Sequence, residues 1–192
     1  MATISIDYGK FMLKAGQLSG TWTARAFLRQ GAGGRGFAHE ATGKDAELAI
    51  EALKAQIDEE IQQRLSRRRH DESMGFDVPT VEDYTDGLRG AGLTDKQLVM
   101  LRAHAAAGDA GLTAQELAEV AGYRTFATAN LHYNKAGKLM AEAMDVTAPE
   151  TGPAEDQVLT GVLARSGAAR EDGEFVWVMH PELREAVKAT AI

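Results

Sequence analysis

The sequence has no cysteine, only four prolines, and 6% aromatic residues in 192 positions. Without cysteine there is no disulfide and no thiolate metal site, which fits a reducing cytoplasm. So few aromatics leave a core to be built mainly from Ala, Leu, Val and Ile. No apolar run approaches the roughly 18 residues that a membrane-crossing helix needs. Residues 1–20 hold no continuous apolar stretch and carry Asp7, Lys10 and Lys14, so a secretory leader is not expected. Nucleotide loops, the H-E-x-x-H zinc pattern and the G-x-S-x-G nucleophile pattern are all missing. His39, His70, His104, His132 and His180 are scattered, and no two share ligand spacing along one element, so neither a metal nor a cofactor is expected. Asp58, Glu59 and Glu60 are consecutive on a helix and point in different directions, which makes a solvated face rather than a catalytic pair. The chain is expected not to be an enzyme.

A positive net charge is lacking too: the total is -7. Its distribution is uneven. Met1–His70 is net +3, Asp71–Ala91 net -5, and Gly92–Ile192 net -5. Non-specific DNA affinity comes mostly from cations on phosphate, so local charge decides whether such a protein can bind DNA.

Three zones follow from the pattern along the chain. Residues 1–70 read as a three-stranded antiparallel sheet with one long helix. Thr3–Asp7 alternates polar and apolar residues, and Thr21–Arg29 places Trp22, Ala24, Ala26 and Leu28 on one face. Gly31, Gly33, Gly34 and Gly36 do not lead directly into a helix, so they read as a hairpin turn before a returning strand at Gly36–Ala41. From about Lys44, Ile50, Leu53, Ile57, Ile61 and Leu65 form one helical stripe. Arg67, Arg68 and Arg69 near its end either meet phosphate or cap the helix. Residues 71–91, acidic and weakly apolar, read as a linker.

Residues 92–192 carry two well-marked helix starts. Thr94-Asp-Lys-Gln97 and Thr113-Ala-Gln-Glu116 are both capping-box patterns, with Leu93/Leu98 and Leu112/Leu117 at staple spacing. They predict helices over Asp95–Ala107 and Ala114–Ala121, the second stopped by Gly122. A third helix, Phe126–Met144, buries Ala129, Tyr133, Ala136, Met140 and Ala143. A short capped helix, a glycine turn and a longer helix make a helix-turn-helix. Gln157–Arg165 reads as a strand or short helix, Glu174–Met179 as a strand, and Pro181–Ala191 as a closing helix. The two strands suggest a wing, in which Arg165 and Arg170 sit near a tip that also carries Glu171, Asp172 and Glu174. The fold class expected is α+β: a small sheet-and-helix module, then a winged helix-turn-helix domain.

Between Glu119 and Glu142 there is no acidic residue. Arg124, Thr125, Thr128 and Asn130 lie where a recognition helix meets base edges. His132, Asn134, Lys135 and Lys138 follow, the lysines suited to phosphate. Lys14, Arg25, Arg29 and Arg35, with Lys10, form a second candidate nucleic-acid surface; the alternative is a strand face protected by charge from edge pairing.

Two resemblances bear on this. Leu112–Tyr123, with Ala129–Tyr133 and Trp177–Leu183, resembles an accessory domain of bacterial and phage proteins sometimes found beside HNH-type restriction nucleases. The His/Asn/His motif of such nucleases is missing, so the resemblance implies a DNA-related setting without the nuclease. The first 70 residues are similar to the β-β-β-α modules of DNA-binding integrase arms. The expectation is a non-enzymatic protein of phage or mobile-element type that binds double-stranded DNA, in the cytoplasm, with a homodimer left open. The alternative is an inhibitor of a host defence complex, of anti-CRISPR or anti-restriction type, acting through acidic surfaces.

Overall fold

The computed structural model describes residues 3–28, 38–149, 158–170 and 175–190. The chain divides into two compact units, Met1–Arg67 and Arg68–Ile192. Among the described residues both helices and strands are well represented, and the fold is mixed α+β.

In the first unit, β1 (Ile4–Tyr8), β2 (Phe11–Leu18), β3 (Thr21–Leu28) and β4 (His39–Gly43) form one antiparallel sheet in sequence order. Helix α1 (Ala46–Ser66) packs on one face of it. The sequence predicts three strands; there are four. The additional one is β2, where Phe11, Leu13 and Ala15 alternate with Met12, Lys14 and Gly16, a period of two partly masked by small and charged side chains. Register then decides the faces. Leu13 pairs with Ala26 and Ala15 with Ala24, and these four side chains lie under α1 with Phe11, Ala49, Ile50, Leu53 and Ile57. Asp45 caps α1 by accepting from the Leu48 amide at 2.8 Å. Ile61 and Leu65, expected to extend the buried stripe, are exposed.

The second unit opens with a hairpin of β5 (Arg69–Asp71) and β6 (Phe76–Val78), then α2 (Val81–Gly90). Residues 71–91 are thus folded where a linker is expected. Met74, Phe76, Val78, Tyr84 and Leu88 are all buried in the unit's core. The acidic character that suggests a linker is absorbed locally. Asp83 completes a capping box with Thr80 and forms an ion pair with Arg68 at 3.1 Å, the two side chains only 6% and 12% exposed. Arg69 forms a two-pronged pair with Glu182 at 2.9 and 3.3 Å. Two of the three consecutive arginines therefore serve internal ion pairs.

Helix α3 (Asp95–Ala107), strand β7 (Leu112–Thr113), helix α4 (Ala114–Val120) and helix α5 (Phe126–Met144) follow. Both predicted capping boxes are formed, at Thr94/Gln97 and Thr113/Glu116. After a 3-10 segment, Val158–Val162, strands β8 (Ala164–Ser166) and β9 (Val176–Met179) lead to α6 (Pro181–Thr190). The three short strands pair antiparallel in the order β7-β9-β8. Two glycines permit close approaches. Gly111, at φ 65°, sits where a Cβ would come within 2.2 Å of the Trp177 carbonyl. A Cβ at Gly137 would meet the Leu159 carbonyl at 1.9 Å. Ala143, expected to be buried, is exposed near the end of α5.

Candidate nucleic-acid interface

The candidate interface is the outward side of α5. Thr125 caps the helix: its hydroxyl accepts from the Thr128 amide at 3.3 Å and lies 3.0 Å from the Thr128 hydroxyl. At 3.6 residues per turn, buried Ala129, Tyr133, Ala136 and Met140 define the inner side. The same period places Ala127, Leu131, Lys135 and Lys138 along the opposite side, all of them exposed. Arg124 is exposed in the turn before the helix. Lys138 lies 3.8 Å from Glu142, with both side chains 60% exposed. A helix-surface pair of this kind contributes only about 0.3–0.5 kcal/mol and leaves the lysine available.

Three of the eight residues predicted for this interface face sideways, and two of them, His132 and Asn134, support the helix. The amide oxygen of Asn134 accepts from the Thr160 amide at 3.0 Å and lies 3.4 Å from its hydroxyl. The Asn130 side-chain oxygen is buried. The His132 ring stacks on Tyr123, with centroids 5.0 Å apart and planes 10° from parallel, and the Lys96 ammonium lies 4.3 Å from the Tyr123 ring centre. Gln97 donates its side-chain amide to the His132 carbonyl at 3.0 Å. The outward group is therefore Arg124, Thr125, Thr128, Lys135 and Lys138. Leu131, at the centre of that side and 67% exposed, is not among the residues singled out from the sequence. Its signal is nonetheless there: it falls on the side of the helix opposite the predicted buried stripe.

Behind α5 lies a buried polar junction. His104 on α3 is fully buried, with Nε2 2.7 Å from the Trp177 carbonyl and Nδ1 2.6 Å from the Tyr133 hydroxyl. A carbonyl only accepts, so Nε2 carries the proton and Nδ1 accepts from Tyr133. Burial holds the imidazole neutral, its pKa pushed down to about 4, and raises that of the Tyr133 phenol. Tyr133 also stacks on Trp177 at 5.6 Å. Helices α3 and α5 and strand β9 are thereby joined at one point. A second set of bonds pins the Val158–Val162 segment: Tyr84 donates to the Val162 carbonyl at 2.6 Å, and His180 Nε2 donates to the Gly161 carbonyl at 2.9 Å.

In the β8–β9 hairpin, Arg170 donates to both carboxylate oxygens of Glu116 at 2.9 and 3.0 Å. Those bonds hold the Glu116 carboxyl below its usual range. Arg165 is exposed. Glu171, Asp172 and Glu174 lie outside the described residues. In the first unit, the sheet face away from α1 carries Lys14 and Arg25, directly paired across β2 and β3. Arg25 is 2.5 Å from Glu40 on β4, and the Lys14 ammonium lies 5.5 Å from the Phe27 ring centre. Arg29 and Arg35 fall outside the described residues. An open recess of about 290 Å³ beside α1 is lined by Phe11, Ile57, Ile61 and Lys10; Glu60 there lies 3.5 Å from His39 and 3.8 Å from Arg64.

Among the described residues, no three His, Cys, Asp or Glu side chains cluster as metal ligands, and no helix is long and apolar enough to cross a membrane. No family model, curated protein or solved structure matches the chain.

Proposed function

We propose that this chain is a non-enzymatic DNA-binding protein of phage or mobile-element type, a regulator or accessory factor, whose second unit is a winged helix-turn-helix presenting α5 to duplex DNA. The observation that carries this reading is the outward side of α5. Arg124, Lys135 and Lys138 are exposed there, in a stretch with no acid between Glu119 and Glu142, on a protein of net charge -7. Strand order supports the architecture. Strand β7, between α3 and α4, pairs with β9, the second strand of the β8–β9 hairpin, in the order β7-β9-β8. The junction at His104 fixes α5 against α3 and β9, which gives a reading helix a rigid base.

In this reading Arg124, Thr125 and Thr128 approach base edges, and Lys135 and Lys138 approach phosphates. His132 and Asn134 hold the helix in place. Arg170 orders the hairpin against α4 through Glu116. Lys14 and Arg25 form a weaker second surface, since Glu40 offsets one of the two charges.

A salt titration of the full chain with a mixed-sequence duplex of about 24 base pairs tests the proposal. Binding falls as salt rises from about 50 to 200 mM, and Lys135→Glu with Lys138→Glu flattens the slope by about 2, near 0.9 for each phosphate no longer neutralised. No binding at about 50 mM salt overturns it.

A further inference from the structure

We infer that α5 distinguishes thymine by an apolar contact, with Leu131 and Ala127 meeting the 5-methyl group in the major groove. The inference rests on the DNA-binding reading of α5 and adds to it the feature of the groove that is read.

Leu131 is the sixth residue of α5 and 67% exposed. Ala127 precedes it by four residues and Lys135 follows by four, so at about 100° per residue all three lie within about 40° of one line. The inner side of the helix is already filled by Ala129, Tyr133, Ala136 and Met140, so Leu131 contributes nothing to the core. A large aliphatic group in the middle of a cationic face needs a partner that is apolar at one point and anionic around it. Duplex DNA has that chemistry: the phosphates supply the charge, and thymine's methyl is the one apolar group on base-pair edges in the major groove.

The placement of the asparagines points to the same apolar contact. Asparagine reads adenine through two hydrogen bonds. The Asn134 oxygen is occupied by Thr160, and the Asn130 oxygen is buried. The centre of the face therefore offers an aliphatic surface where the sequence suggests a hydrogen-bonding one. Thr128, at the edge of the face, adds a hydroxyl and a second methyl.

The experiment selects 24-base-pair duplexes from a randomised pool with the full chain, then measures the selected sites with thymine and with deoxyuridine at each position. The expected result is a site containing thymine at which deoxyuridine weakens binding about fourfold per methyl touched, the effect of losing about 0.8 kcal/mol of apolar burial. Leu131→Ala brings the thymine-to-uracil ratio at the selected site toward one. Selected sites that lack thymine, or that bind equally with uracil, overturn the inference and leave DNA binding standing. Recovery of no duplex at all overturns the DNA-binding reading as well.

Discussion

The two units solve the same packing problem with different chemistry. The core of the first is ten apolar residues, with Thr23 its sole buried polar side chain among the described residues. The second buries Thr80, Asp83, Gln97, His104, Thr113, Thr160 and His180 among its apolar residues. Four of these, Thr80, Asp83, Gln97 and Thr113, belong to helix capping boxes, and element length accounts for others. Eight-residue strands and a 21-residue helix satisfy their own backbone groups. The second unit relies on a two-residue strand, a seven-residue helix and 3-10 segments. Carbonyls at Gly161, Val162 and Trp177 are there reached by side chains instead: His180, Tyr84 and His104. Polar groups inside the second unit are thus structural, and they leave the outer side of α5 free for another task.

Substitutions and pH separate the two designs. The largest effect is expected from Leu53→Ala, which removes a fully buried side chain at the centre of the first unit. It costs that unit about 2–5 kcal/mol, seen as faster amide exchange in β2, β3 and α1 with the second unit unchanged. Acid should do the reverse. Below pH 6.5 an unfolded histidine takes up a proton, while folded His104 resists until about pH 4. The second unit therefore keeps this contribution above pH 6.5 and loses about 3 kcal/mol as pH falls to about 4, with no further loss below. Burial shifts His180 in the same direction and adds to the loss. Chemical denaturation at pH 7 and pH 5, followed by residue-resolved exchange, reads this out.

A smaller change is Tyr133→Phe. It leaves the aromatic stack on Trp177 but orphans His104 Nδ1, at a cost of about 1–3 kcal/mol to the second unit. Arg170→Ala breaks a partly exposed pair with Glu116 and is expected to change stability by less than about 1 kcal/mol. A large loss there would mean that the hairpin contributes more to folding than this ion pair suggests.

Much of the second unit is legible because its helix starts are written locally. Thr94/Gln97 and Thr113/Glu116 place oxygen acceptors and donors within one turn, independent of tertiary context. Residues 71–91 resemble a linker because Thr80-Val-Glu-Asp83 closes its box with Asp rather than Glu or Gln, and because glycines and acids obscure the periodicity of Tyr84 and Leu88. Strand β2 is hidden by its Gly16 and Lys14, and β7 is too short to show any period. On α5 the stripe Ala129–Tyr133–Ala136–Met140 is readable, but the sideways commitment of Asn134 is not. It depends on Thr160, more than twenty residues away in a segment whose position no local rule gives.

Whether α5 is the DNA-contacting element is read from amide chemical shifts recorded while the full chain is titrated with a mixed-sequence duplex of about 24 base pairs at low salt. Shift changes are expected to concentrate from Arg124 to Lys138, strongest at Thr128, Leu131 and Lys135, and to be reversed by added salt. Binding that leaves α5 unperturbed, or no shift anywhere, would contradict it.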